Sequence, residues 1–215
     1  MRPFIGIEGP IGVGKTTLAQ LLAERLQAEA MFEVYEENPF LAKFYTDPDC
    51  YALSTQLFFL MSRYQQYEAV GETEQVLVGD YIFAKNDLFA DYTLKGAEHK
   101  LYQQISTSLA KHLLRPTLVV YLRADLDTLM TRIARRARPY EQADSMRPYM
   151  ANLIDQYEGF FGHYDEAPLL TLDTHNVNIV EDADARDEML DDIMSVFHDL
   201  IAERPTQVPM FQGIA

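Results

Sequence analysis

Cysteine is nearly absent: Cys50 is the only one in 215 residues. That excludes an intrachain disulfide framework and any cysteine-based zinc site; the lone thiol is expected to be a small core side chain. Positive charge is also scarce. Lys and Arg number 18 against 33 Asp and Glu, a formal net charge of −15, which argues against a duplex-binding surface because phosphate backbones are held by basic patches. A small anionic ligand would need a local basic pocket instead. Long apolar runs are missing too. Stretches such as "LFFLM" at 57–61 are short, whereas a membrane span needs about 20 apolar residues. The start "MRPFIGIEGP" has no signal-peptide core. A soluble, cytoplasmic protein that binds neither membrane nor nucleic acid is expected.

What remains is an alternation of short β-rich runs with longer stretches of helical period, the pattern of an α/β protein with helices on both faces of a mainly parallel sheet. Five strands are predicted: "PFIGIE" (3–8), "EAMFEV" (29–34), "QVLVGD" (75–80), "TLVVYL" (117–122) and "PLLTLD" (168–173). Helices are predicted near 14–28, 50–70, 94–114, 126–137, 145–162 and 182–203. The last carries Met189, Ile193, Val196, Phe197, Leu200 and Ile201 on one face, with the acids from Glu181 to Asp192 as a solvated face. Without a repeat or a long linker, residues 1–204 read as one domain and 205–215 as a tail.

"GPIGVGKT" (9–16) fits G-x-x-x-x-G-K-[ST] directly after a predicted strand and at the opening of a helix. Gly9, Gly12 and Gly14 let backbone N–H groups curl around phosphate oxygens, and the helix start, which includes Thr17, adds partial positive charge. Lys15 reaches the outer phosphates and the Thr16 hydroxyl ligates Mg²⁺. Asp80, at the end of an apolar strand, delivers a carboxylate to the sheet edge where a second Mg²⁺ contact is needed. ATP is the expected phosphate donor.

Other motifs decide the acceptor. A GTP switch would need N-K-x-D and D-x-x-G segments, but "YIFAKNDLFA" follows Asp80. "RIARRARPYEQ" (132–142) places Arg132 and Arg136 four apart on one helix face with Arg138 just beyond. In so acidic a chain this reads as a lid whose cations neutralise the transferring group and the nucleotide phosphates.

With "FYTDPDCYALSTQLFFLMSR" (44–63), "RIARRARPYEQ" and "PLLTLD" in this order after the phosphate loop, the chain resembles the deoxynucleoside kinase family. The resemblance implies a P-loop kinase with a five-stranded parallel sheet and an arginine-rich lid, transferring the γ-phosphoryl of ATP to the 5′-hydroxyl of a deoxynucleoside. It implies Glu33 in "AMFEVYEENPFL" as the general base, a role chemistry requires of a carboxylate facing the γ-phosphate; Glu36 and Glu37 stand as rivals. Gln56 and Arg63, seven apart and so on one helix face, would read and anchor the base. Tyr45 and Glu141 would hold the sugar 3′-hydroxyl. Either Asn86 or Asp87 would face the base and pair with Arg63. "ENPFL…FY" resembles the bacterial deoxyadenosine and deoxyguanosine kinases, which implies a purine. A homodimer built on helices, with 50–70 and 94–114 as the apolar stretches, is implied as well.

One departure stands out. Where the family carries Asp/Glu-Arg-Ser after the third strand, this chain has Asp80-Tyr81-Ile82, so a cation is missing from the reaction centre. Lys85 is the candidate to replace it. The rivals are a thymidylate-type monophosphate kinase, whose charged acceptor would call for further cations where this chain has "FEVYEENPF", and a nucleotide-binding regulator that has lost catalysis.

Overall fold

The computed structural model describes residues 2–71, 73–141 and 145–203. The expected tail, 205–215, and Gln142 of the arginine motif lie outside them. Five parallel strands, β1 (Phe4–Glu8), β2 (Glu29–Met31), β3 (Leu77–Gly79), β4 (Leu118–Arg123) and β5 (Leu169–Asp173), form one sheet in the order β2-β3-β1-β4-β5. All five predicted strands are present. β1 is central, pairing with β3 through Phe4–Leu77 and with β4 through Ile5–Leu118. Every residue of β1 is buried, as a strand covered by helices on both faces requires.

The helices are α1 (Lys15–Leu26), α2 (Leu41–Thr46), α3 (Pro48–Ala69), α4 (Lys85–Thr93), α5 (Gly96–Ala110), α6 (Leu126–Arg136), α7 (Met146–Phe161) and α8 (Ala183–Ala202). Two of them escaped prediction. α2 has six residues, too few for a helical period to show. α4 carries Asn86 and Asp87, both weak in helix propensity, in its first turn, and is held by burial of Lys85, Asn86, Leu88 and Ala90.

Local signals set the ends that matter. Asp47 accepts from the Cys50 N–H, with Pro48 in the first turn of α3, and Asp125 accepts from the Thr128 N–H at the start of α6; such caps satisfy otherwise orphaned donors. Cys50 itself is exposed, which corrects the expectation of a core side chain: α3 buries Ala52, Thr55 and Gln56 and leaves its first turn outside. β2 is shorter than predicted because the chain leaves the sheet after Met31, freeing Glu33 from strand pairing. α8 buries Met189, Leu190, Ile193 and Phe197 against the main core and turns its acids outward. Among the described residues no helix is long and apolar enough to cross a membrane.

Phe197 is 1% exposed, so Phe197→Ala is expected to cost about 3–5 kcal/mol by loss of burial and a residual cavity. Urea denaturation measures it; a cost below about 1 kcal/mol would show that α8 is not docked by this face.

Candidate active site

The carboxyl ends of β1, β2 and β3 converge on the phosphate loop. Gly9, Gly12 and Gly14 all have positive φ (149°, 84° and 110°), which L side chains rarely adopt. A Cβ on Gly9 would stand 2.3 Å from the Leu122 carbonyl oxygen, so the loop rests directly on the backbone of β4. Lys15 folds back and donates to the carbonyls of Gly9 (2.6 Å) and Pro10 (3.0 Å). Burial first, then repulsion from Lys85, pulls its pKa down to about 8, against the attraction of Glu8, Glu33 and Asp80.

Asp80 links two sides of the site. Its Oδ2 accepts from the Thr16 hydroxyl at 2.6 Å and its Oδ1 from the Glu33 backbone N–H at 2.8 Å. A hydroxyl and a carboxylate in contact are oxygen ligands of the kind that would suit Mg²⁺. No cluster of three or more His, Cys, Asp or Glu side chains suited to a metal occurs among the described residues, and a nucleotide-borne cation does not require one.

Of the three glutamates weighed for the base, only Glu33 is gripped by cations. Arg63 donates to its Oε1 from Nε (2.9 Å) and Nη2 (2.5 Å), and Lys85 donates to its Oε2 at 3.0 Å. Burial pushes the Glu33 carboxyl up, but Lys85 and Arg63 outweigh it and hold the group well below the usual carboxylate range. Glu36 and Glu37 are exposed, Glu36 accepting only from the Tyr35 hydroxyl (2.9 Å) among its described bonds. The segment is pinned by Asn38, which donates to the Thr55 carbonyl on α3 and accepts from the Phe40 N–H.

Arg63 also donates to Asn86 Oδ1 at 2.5 Å, and Asn86 is fully buried. Asp87 instead accepts from Ser106 on α5 (2.8 Å). The arginine's neighbour is therefore Asn86. Gln56, on the same face of α3 and 2% exposed, leaves its Oε1 without a partner among the described residues, an acceptor whose desolvation is costly unless a ligand meets it. Tyr81, where the family's arginine would stand, is buried with Phe4, Met31, Tyr67 and Leu77 and donates to Gln66.

The arginines of the 132–142 segment diverge. Arg136 donates to both oxygens of Glu141 (2.7 Å each). Arg138 lies 3.6 Å from Glu141, stacks over the Tyr35 ring at 3.9 Å and donates to the Tyr35 hydroxyl. Arg132 spends its guanidinium on the Val13, Thr174 and Val177 carbonyls and the Thr174 hydroxyl, sewing α6 to the phosphate loop and to the turn after β5. Tyr45 is half-buried and stacks on Tyr140 (5.7 Å, 17°); desolvation, then the nearby Glu141, pushes its hydroxyl pKa up. A cavity of about 930 Å³ is lined by Gly12–Thr17, Tyr35, the arginines and the 174–180 segment. Sequence reasoning missed Glu8, the charged last residue of an otherwise apolar strand, whose only signal was a charge at a strand's edge; it gave Asn38 no role of its own, although the residue lies within "ENPFL".

A glycine loop of positive φ ahead of a helix, the Thr16–Asp80 contact and a cation-held glutamate on one sheet edge are the build of a P-loop phosphotransferase. The deoxynucleoside kinase family profile matches residues 5–198, and the chain belongs to the deoxynucleoside kinase family. It is 36% identical over 193 residues to a deoxyguanosine kinase of Bacillus subtilis (strain 168), covering 87% of this chain and 90% of that one. It is 30% identical over 204 residues to a deoxyadenosine/deoxycytidine kinase of the same organism, covering 91% and 94%. The fold matches the deoxyadenosine kinase from M. mycoides with bound dATP (TM-score 0.77, 22% identity, 92% of this chain and 100% of that one). The chain is accordingly a deoxynucleoside kinase, with ATP the phosphate donor that this class implies.

Arg132→Lys keeps the charge but cannot fork to three carbonyls. It is expected to raise the KM for ATP about tenfold while the deoxynucleoside KM stays within about twofold, read by steady-state kinetics.

Proposed function

We propose that this kinase transfers the γ-phosphoryl of ATP to the 5′-hydroxyl of a purine deoxynucleoside, with Glu33 as the group that receives the hydroxyl proton. The observation that carries this reading is Glu33 itself: a carboxylate kept ionised by Arg63 and Lys85 and tied through Asp80 to the phosphate loop. Phosphoryl transfer needs little covalent help from the protein; it needs placement and charge. Glu33 orients the acceptor hydroxyl and takes its proton as the new P–O bond forms. Lys85 supplies the cation that Tyr81 cannot, and Lys15, with the glycine-loop N–H groups, holds the outgoing phosphates.

Thr16 and Asp80 would hold Mg²⁺, which when bound would offset the charge of the phosphate groups. Arg136 and Arg138 would reach the phosphates by leaving Glu141, whose released carboxylate, with Tyr45, would then serve the sugar 3′-hydroxyl. Gln56 and Arg63 would meet the base, with Asn86 orienting Arg63. The purine assignment is supported by the names of the relatives, deoxyguanosine and deoxyadenosine kinases prominent among them. Residues 1–204 are proposed to act as one domain.

The test is phosphate transfer from ATP to a panel of deoxyadenosine, deoxyguanosine, deoxycytidine, thymidine and their monophosphates. Purine nucleosides are expected to turn over fastest; transfer to monophosphates alone, or none at all, would overturn the reading. Lys85→Met is expected to lower kcat by about 100-fold or more with the KM for ATP within about threefold, as loss of one charge-stabilising donor does; unchanged turnover would remove Lys85 from the mechanism.

A homodimer is also proposed, supported by Met61 on α3 and Leu101 on α5, which are 44% and 49% exposed. The double change Met61→Glu and Leu101→Glu is expected to yield monomers by light scattering; a wild-type chain already monomeric at micromolar concentration would dismiss the dimer.

A further inference from the structure

Glu8 closes the central strand, one residue before the phosphate loop, and is 1% exposed. Nothing in packing calls for a charge there, since the preceding Ile7 is buried apolar and a buried carboxylate costs several kcal/mol unless its oxygens are met. They are met from three directions. Oε1 accepts from the Ile82 backbone N–H at 3.0 Å, and Oε2 from the Gly9 backbone N–H at 3.2 Å and the Tyr157 hydroxyl at 3.2 Å. All three partners donate, which suits an ionised carboxylate. Gly9 begins the phosphate loop, Ile82 lies in the turn leading from β3 to Lys85, and Tyr157 comes from α7. Burial pushes the Glu8 carboxyl up from its ordinary range, while the nearby Lys85 and Lys15 and the Ile82 N–H favour its charged form and Glu33 opposes it.

We propose that Glu8 is a positioning residue for phosphoryl transfer: a buried brace that fixes the mouth of the phosphate loop against the β3–α4 turn, so that Lys85 is delivered beside Glu33. Its hydrogen bonds go to Ile82, Gly9 and Tyr157, not to Thr16 or Asp80. The inference rests on the reading that Lys85 serves the chemical step. Glutamine at this position keeps the size but offers one acceptor oxygen, and its NH₂ must face one of three donors. The turn at Ile82 or the loop at Gly9 then loses its partner, and Lys85 and Lys15 lose a counter-charge.

The experiment compares Glu8→Gln, Lys85→Met and the double variant in full-length enzyme, with thermal unfolding recorded alongside kinetics. Glu8→Gln is expected to lower kcat by about 10- to 100-fold, with the deoxynucleoside KM within about threefold. The double variant is expected to turn over no more slowly than Lys85→Met alone, because a residue acting through Lys85 has nothing left to position. A folded Glu8→Gln enzyme with normal kcat, or losses that multiply in the double variant, would overturn the inference. Normal turnover in Lys85→Met would instead defeat the reading on which it rests. Should Glu8→Gln not fold, Tyr157→Phe removes a single donor and spares both backbone bonds; a fall in kcat of about three- to tenfold at constant KM is expected, and an unchanged kcat would overturn the proposal.

Discussion

The site depends on one carboxylate with two obligations. Asp80 binds the Thr16 hydroxyl with one oxygen and the Glu33 backbone N–H with the other, and so locks the first turn of α1 to the segment leaving β2. A shared Asp at the end of β3 can do this only because β3 lies between β1 and β2 in the sheet. The parallel arrangement brings the carboxyl ends of all three strands to the same edge, where open α/β sheets bind their ligands.

Around that link sit three buried or half-buried cations, Lys15, Arg63 and Lys85, and three carboxylates, Glu8, Glu33 and Asp80. The balance is local and contrasts with a chain whose overall charge is −15. Opposite charges in a medium of reduced dielectric interact strongly and must be matched nearly one for one. This explains how so acidic a protein maintains a pocket for anionic phosphates: the attraction is short-ranged and geometrical, while the outward acids of α8 face solvent.

Much of this was legible in the sequence because it rests on local rules. The phosphate loop announces itself by glycines at positions of positive φ, and the five strands by apolar runs between turn residues. What stayed hidden depended on non-local contacts. The choice between Asn86 and Asp87 needed the direction of the first turn of α4, which is set by burial. The resemblance already favours Glu33 over Glu36 and Glu37, but its grip by Arg63 and Lys85, after the early end of β2, was not readable from the sequence. Arg132 shares a helix face with Arg136 as its spacing requires, yet its guanidinium meets carbonyls of loops more than 40 residues away in either direction, contacts that no periodicity encodes.

The Arg136–Glu141 and Arg138–Tyr35 contacts carry a consequence for selectivity. Both guanidiniums already have partners of their own, Arg136 the Glu141 carboxylate and Arg138 the Tyr35 ring with Glu141 3.6 Å away. A lone inorganic anion at the cavity would have to displace a carboxylate that holds Arg136 with both oxygens. On the proposed reading, a polyphosphate anchored at the glycine loop would make that competition intramolecular, so the arginines would answer a tethered nucleotide in preference to a free ion.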